Sequence, residues 1–181
     1  MLYKRQAIKT KIADSVGTTQ FGVGTPGGAE AALMAVRLAV AGSTETVVVA
    51  LDCKAAFQLA SRRRALNQAE MHLPEFAPFV RTWYDDPATH HWIDENDKAH
   101  YFGSTSGFDQ GDPLATLAFA LSTRPLMDAL QSELRRLDPN TVLVGYLDDV
   151  TFVIGRKHLQ KAWNAVCRLW AAADMPLNLD K

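Results

Sequence analysis

Cysteine is almost absent from this sequence, with Cys53 and Cys167 the two examples in 181 residues. Two thiols without metal-ligand spacing exclude a cysteine-based zinc site and a disulfide-stapled scaffold. Their places inside regular elements predict buried free thiols. Long apolar runs are missing as well. Nothing approaches the ~20 residues of a membrane-spanning helix, and the opening Met1-Leu2-Tyr3-Lys4-Arg5-Gln6 lacks the apolar core of a secretory leader. A soluble, intracellular chain of the cytoplasm or nucleus is expected. An excess of one charge is missing too, since 19 Lys and Arg face 20 Asp and Glu. A nucleic-acid binder usually carries a basic excess, so contact with a polyanion would have to come from local basic clusters. No repeat or low-complexity linker divides the chain, and 48% hydrophobic with 22% charged residues fits one globular domain with a sizeable core.

What is present centres on Thr141 to Ile154, where two runs rich in β-branched and aromatic residues flank Asp148 and Asp149. Without Gly or Pro at the join, this reads as a tight hairpin carrying carboxylates at its tip. Successive strand residues point to opposite faces, so the two acids share an orientation only if the turn bends between them. A solvated turn that happens to use Asp explains the pair until a third acid is counted. Asp52 ends the apolar run Thr46-Val47-Val48-Val49-Ala50-Leu51, as a charge at the end of a buried strand. Helix capping accounts for Asp52 alone. Pairing that strand beside the hairpin gathers Asp52, Asp148 and Asp149 as the hard oxygen ligands that Mg²⁺ prefers. Two such ions about 3.5–4 Å apart serve an in-line phosphoryl displacement.

In chain order, residues 2–14 read as an amphipathic helix with Lys4, Arg5, Lys9 and Lys11 on a basic face, solvated or lying against phosphates. A glycine-rich segment from Gly17 to Gly28 lacks the ending of a phosphate loop. Thr25 as N-cap and Pro26 at the first helical position account for most of it. The helix Gly28 to Val40 is expected to bury Ala31, Met34, Ala35, Leu38 and Ala39 as a core stripe. A helix over Phe57 to Glu70 carries Arg62, Arg63 and Arg64, read as solvated charge with one or two of them near a nucleic-acid backbone. Pro74 to Tyr84 reads as a helix. His90 to Asp94 and Ala99 to Phe102 read as a hairpin whose histidines have no zinc spacing. Asp112 and Pro113 cap the longest helix, which runs to Leu137. Lys157 to Ala173 forms an amphipathic helix, and Met175 to Lys181 a final strand. This order predicts an α+β fold, an antiparallel sheet with helices packed on one face.

Four segments carry a resemblance: Asp52-Cys53-Lys54-Ala55-Ala56-Phe57, Ser106-Gly107-Phe108-Asp109-Gln110-Gly111-Asp112-Pro113-Leu114, Tyr146-Leu147-Asp148-Asp149, and Leu177-Asn178-Leu179-Asp180-Lys181. In this order and at these separations they resemble the palm motifs of reverse transcriptases, closest to the non-LTR, LINE-like retrotransposon polymerases. A Gln-Phe-Gly segment like Gln20-Phe21-Gly22 also precedes the first catalytic strand in that family. The resemblance extends over about residues 15–181 and implies a polymerase palm with a ferredoxin-like antiparallel sheet. Residues from about 44 on would be palm, and residues 1–43 a part of the fingers.

The resemblance further implies an RNA-directed DNA polymerase that joins deoxynucleoside triphosphates to a DNA primer on an RNA template. Asp52 and Asp148 would bind two Mg²⁺ ions, for which Mn²⁺ could substitute, with Asp149 and the Cys53 backbone carbonyl assisting. Phe57 matches the aromatic gate against a ribose 2′-hydroxyl and reads equally as a core phenylalanine. Gln110 and Gly111 would lie beside the incoming nucleotide, Tyr146 behind the primer end, and Lys181 toward the leaving pyrophosphate. Basic finger strands and a thumb, expected of such an enzyme, are not represented in these residues and would be supplied from outside them. The family usually has Asn where Ala55 stands, Ser-Pro where Ala115-Thr116 stand, and Gly where Asp174 stands. Each departure alters a local contact and removes no acid. The alternative is a folded remnant that binds ions or nucleic acid without polymerising. A nucleotide cyclase on a similar palm would need a different loop from Gln110-Gly111.

Overall fold

The computed structural model describes residues 2–41, 43–109 and 111–179, with side chains from residue 7 onward. Helix α1 (Leu2–Ser15) and helix α2 (Gly28–Val40) precede strand β1 (Thr46–Leu51). Helices α3 (Ala56–Leu59), α4 (Arg62–His72) and α5 (Ala77–Tyr84) follow, then strands β2 (Ala88–Ile93) and β3 (Ala99–Ser104). Helix α6 (Ala115–Leu137), strands β4 (Val142–Tyr146) and β5 (Asp149–Gly155), a 3₁₀ turn over Arg156–His158 and helix α7 (Leu159–Ala172) complete the order. It is a mixed α/β fold with antiparallel sheets.

The main sheet has the order β1-β5-β4, with Leu51 opposite Val150, Val48 opposite Val153, and Tyr146 opposite Asp149. Its strands form because runs of β-branched residues fit a pleated, half-buried surface. Alternation then sorts the side chains by face. Leu51, Leu143, Val150, Phe152 and Ile154 enter the core with Phe119, Leu121 and Leu130 of α6 and Trp170 of α7. Val144 and Val153 are also buried but point the other way, toward α2, which lies against all three strands. Strands β2 and β3 form a separate hairpin, with His90 stacked on Phe102 and Trp92 on His100.

Several expectations change on folding. Helix α2 begins at Gly28 after a left-handed Gly27, and neither Thr25 nor Pro26 caps it. Its buried residues are Gly28 and Ala32 rather than a leucine-methionine stripe, while Met34 and Leu38 are 53% and 67% exposed. Gly28 is required by the loop before the helix, since an added Cβ would sit 2.0 Å from the Phe21 carbonyl. The helix expected from Phe57 to Glu70 is broken at Ala60, and Ser61 caps α4 by accepting from the Arg64 amide at 3.2 Å. The helix expected from Pro74 starts at Ala77. Helix α1 leaves Ile8 exposed, and Lys11 of its basic face pairs with Glu75 at 2.8 Å. Asp112 and Pro113 do not cap α6, which starts at Ala115 after Leu114; Asp112 instead closes the preceding turn by accepting the Leu114 amide at 2.8 Å. Of the final strand, one bridge between Cys53 and Leu177 is present among the described residues. Cys167 is exposed rather than buried. Among the described residues no helix is long and apolar enough to cross a membrane.

Candidate active site

Asp52, Asp148 and Asp149 all lie at one end of the main sheet. The β4–β5 turn consists of Leu147 and Asp148, flanked by the pair Tyr146 and Asp149. Leu147 has φ 56°, a left-handed conformation that costs an L-residue about 1–2 kcal/mol. This bend takes Asp148 out of the pleat, while Asp149 stays in strand β5 on the face opposite Val150. Both acids are exposed.

Asp52 follows the last residue of β1, and continuing the register of Leu51 with Val150 brings it level with Asp149. The segment after α7 pins it from the other side. Asn178 Nδ2 donates to Asp52 Oδ2 at 2.7 Å, and the Asn178 amide donates to the Asp52 carbonyl at 2.8 Å. With the Lys54 amide donating to the Pro176 carbonyl at 3.0 Å, these bonds flank the Cys53–Leu177 bridge. The backbone N–H and C=O of Cys53 therefore point away from Leu177, toward the side on which the hairpin lies. The Cys53 thiol accepts from Trp170 Nε1 at 2.9 Å. Burial pushes this thiol up, and the negative charges of Asp52 and Asp148 push it further, against the lowering effect of the indole donor. Carboxylates from two separate elements thus act on one sulfur.

A second wall is built from α3, α4 and the loop before α6. The Phe57 ring stacks on Phe119 with centroids 4.2 Å apart, and the Phe57 carbonyl accepts the Phe108 amide at 2.9 Å. The ring is half-buried, part core and part surface. Arg62, read as solvated, is instead 6% exposed. It donates to the Gly107 and Ser104 carbonyls at 2.8 Å each and to Ser104 Oγ at 3.0 Å, with its guanidinium 5.9 Å from the Tyr84 ring. Asp112 accepts from the Tyr84 hydroxyl and, at 3.2 Å, from Trp83 Nε1. Burial, followed by the Asp112 hydrogen bond, holds the Tyr84 phenol far above its usual range. Gly111 has φ 92° with open space around its Cβ position, so glycine serves the backbone conformation there. Tyr146 is exposed at the end of β4. Gln110 and Lys181 lie outside the described residues.

Gln20 is a site residue the sequence reading missed. Its side chain, 4% exposed, bonds to the Leu147 backbone, accepting from N at 2.9 Å and donating to O at 3.4 Å. The signal was a polar side chain between glycines ahead of the first strand. Arg62 had no such signal, because nothing in three consecutive arginines marks which one turns inward.

Among the described residues no three His, Cys, Asp or Glu side chains converge as a metal cluster. The donors still suit Mg²⁺, which is commonly held by one or two carboxylates together with waters and substrate phosphates.

Comparison with known families matches residues 4–181 to the reverse transcriptase (RNA-dependent DNA polymerase) family. The chain belongs to the reverse transcriptase family. Comparison with curated proteins finds no match. Among solved structures, this reverse transcriptase chain is similar to a telomerase from Candida tropicalis truncated from its C-terminal domain, at TM-score 0.69 and 14% identity, over 98% of this chain and 39% of that one. It is also similar to telomerase from Candida albicans in complex with a TWJ fragment of telomeric RNA, at TM-score 0.75 and 10% identity, over 97% of this chain and 34% of that one. At these identities the likeness is one of fold. The chain spans little more than a third of the length of these telomerases.

Proposed function

We propose that this chain carries the catalytic core of an RNA-directed DNA polymerase from a non-LTR type of retroelement. The observation that carries the reading is the strand register, which sets Asp52, after β1, level with Asp149 at the same end of the sheet as Asp148 in the β4–β5 turn. In this reading, residues from about 44 on are the palm and residues 1–43 a part of the fingers. The partners are an RNA template, a DNA primer and deoxynucleoside triphosphates. The Candida albicans telomerase, solved with a telomeric RNA fragment, is a precedent for RNA on this fold.

Asp52 and Asp148 would hold two Mg²⁺ ions, with Asp149 and the Cys53 carbonyl completing the oxygen set. When bound, the ions supply activation of the primer 3′-hydroxyl and neutralise charge at the α-phosphorus it attacks. The chain's own contribution is placement. Asn178 orients the Asp52 carboxylate, the strained turn presents Asp148, and Arg62 with Asp112 holds the ends of the loop that contains Gln110 and Gly111. Phe57, at the rim of its stack with Phe119, would exclude a 2′-hydroxyl by sterics. Tyr146 would back the primer end, and Lys181 would protonate the leaving pyrophosphate. A second reading, a folded remnant that does not polymerise, is favoured by the lack of a three-side-chain cluster among the described residues.

Primer extension on an RNA template with Mg²⁺ and deoxynucleotides decides between them, comparing the chain with Asp148→Asn. Extension should fall in the variant by more than the about 10–100-fold that disturbing an outer-shell group costs. Equal extension by both would place the chemistry elsewhere. No extension with the chain folded and Mg²⁺ still bound at Asp52 and Asp148 would mean a palm that needs fingers and thumb from outside these residues, and no extension without ion binding would leave the remnant.

A further inference from the structure

We propose that Gln20 is the positioning residue for the acid-bearing turn, its side-chain amide holding the Leu147 backbone so that Asp148 is presented beside Asp52. The role of Asp148 rests on the polymerase reading above; the role of Gln20 rests on geometry.

Leu147 is a non-glycine residue at φ 56°, a conformation that persists only where surroundings over-determine it. The β4–β5 ladder closes at Tyr146 and Asp149 on a two-residue loop that calls for positive φ at its first position, where glycine or asparagine is usual. Gln20 adds the contact that holds a leucine there, from a segment 127 residues away. Gln20 Oε1 accepts from the Leu147 amide and from the Gly22 amide at 2.9 Å each, and Nε2 donates to the Leu147 carbonyl at 3.4 Å. Gln20 is itself anchored on the edge of β4. The Phe21 amide donates to the Gly145 carbonyl and the Gly145 amide to the Thr19 carbonyl, both at 2.7 Å, in a parallel bridge. Residues 19–21 therefore extend the sheet by one short backbone pairing, and the buried amide reaches along it to the turn.

The glycines around this contact share the same constraint. A Cβ on Gly22 would lie 2.9 Å from both the Leu147 amide nitrogen and its Cγ, and a Cβ on Gly145 would lie 3.0 Å from Met127 Cε. The segment approaches the turn closely enough for a side-chain amide to act as a two-point clamp. An amide fits both points at once, since it offers an acceptor to the N–H and a donor to the C=O of one residue. A carboxylate offers the acceptor alone.

The test compares wild type with Gln20→Ala, Gln20→Met and Gln20→Glu by amide hydrogen exchange and by Mn²⁺ titration followed by electron paramagnetic resonance. In Gln20→Ala the Leu147 amide should exchange at least about tenfold faster while the Phe152 amide stays protected, and the Mn²⁺ dissociation constant should rise about tenfold, the range for a lost supporting group around a metal. Gln20→Met fills the volume without either hydrogen-bonding atom and should match Gln20→Ala, so it decides the matter if the smaller residue prevents folding. Gln20→Glu keeps the acceptor and should keep the Leu147 amide protected. Unchanged Leu147 exchange in a folded Ala or Met variant overturns the proposal. Faster exchange with unchanged Mn²⁺ affinity overturns it too, because the turn would then not set the acid. If wild type shows no Mn²⁺ binding that depends on Asp148, the polymerase reading falls, and Leu147 exchange alone decides whether Gln20 holds the turn.

Discussion

Ala55 and Asp174 occupy the two positions where the resembling family usually has Asn and Gly, and both take left-handed backbone, with φ 50° and 55°. Asn and Gly are the residues that adopt this conformation readily. Ala55 precedes the short helix α3, where the chain must turn sharply after Cys53, and its side chain is exposed. Replacing Ala55 with Gly therefore removes no packing. It relieves about 1–2 kcal/mol of left-handed strain and gives back about 0.4–1 kcal/mol through the freer unfolded chain. The net expectation is stabilisation by about 0.5–1 kcal/mol, a rise in melting temperature of roughly 1–4 °C for a chain of this size. Ala55→Asn should move the same way by less, because Asn tolerates the left-handed region and still carries a Cβ. Thermal melts followed by circular dichroism measure both. A lower melting temperature for Ala55→Gly would refute the strain assignment. Asp174→Gly, also at an exposed site, should reproduce the sign.

Three further outcomes follow from the contacts. Arg62→Met keeps the apolar stem but removes hydrogen bonds to Gly107 and Ser104, which should cost about 2–4 kcal/mol, while Arg63→Met at an exposed neighbour should stay within about 0.5 kcal/mol; urea unfolding separates the two. Asp138 is held below the usual carboxylate range, first by the Gly155 amide and then, against its own partial burial, by the Asn140 amide. Its folded value lies below its unfolded value, so its stabilisation is complete above about pH 4 and is lost as pH falls through the folded value. The stability gap between wild type and Asp138→Asn should shrink in that acid window. Iodoacetamide at pH 8, followed by peptide mass spectrometry, should modify exposed Cys167 well before Cys53, whose thiol is raised by burial and by the acids beside it.

The sheet and its acids were legible because their cause is local. β-Branched alternation specifies β1, β4 and β5, and a pair of acids between two such runs marks the turn without tertiary information. The hairpin of β2 and β3 was readable for the same reason. Contacts supplied by distant segments were not. Met34 and Leu38 carry a helical period that reads as core, yet the buried residues of α2 are Gly28 and Ala32, and the larger side chains are exposed. Arg62 differs from Arg63 only through a loop 42 residues away. Gln20 is one polar residue among glycines until Leu147 comes to it. Ala60 gave no sign of the break between α3 and α4, because alanine is at home in a helix. The departures at Ala55 and Asp174 were visible as letters, but their meaning as left-handed positions needed the backbone.

In the polymerase reading, Asp52 and Asp148, from separate elements, serve one shared two-cation site. A Mn²⁺ titration of wild type, Asp52→Asn, Asp148→Asn and the double variant, read by electron paramagnetic resonance, tests it as a double-mutant cycle. The expected result is that each single variant weakens binding by about tenfold or more and that the double variant is little worse than either single one. Additive losses in the double variant, or singles that bind as wild type does, would contradict a shared site.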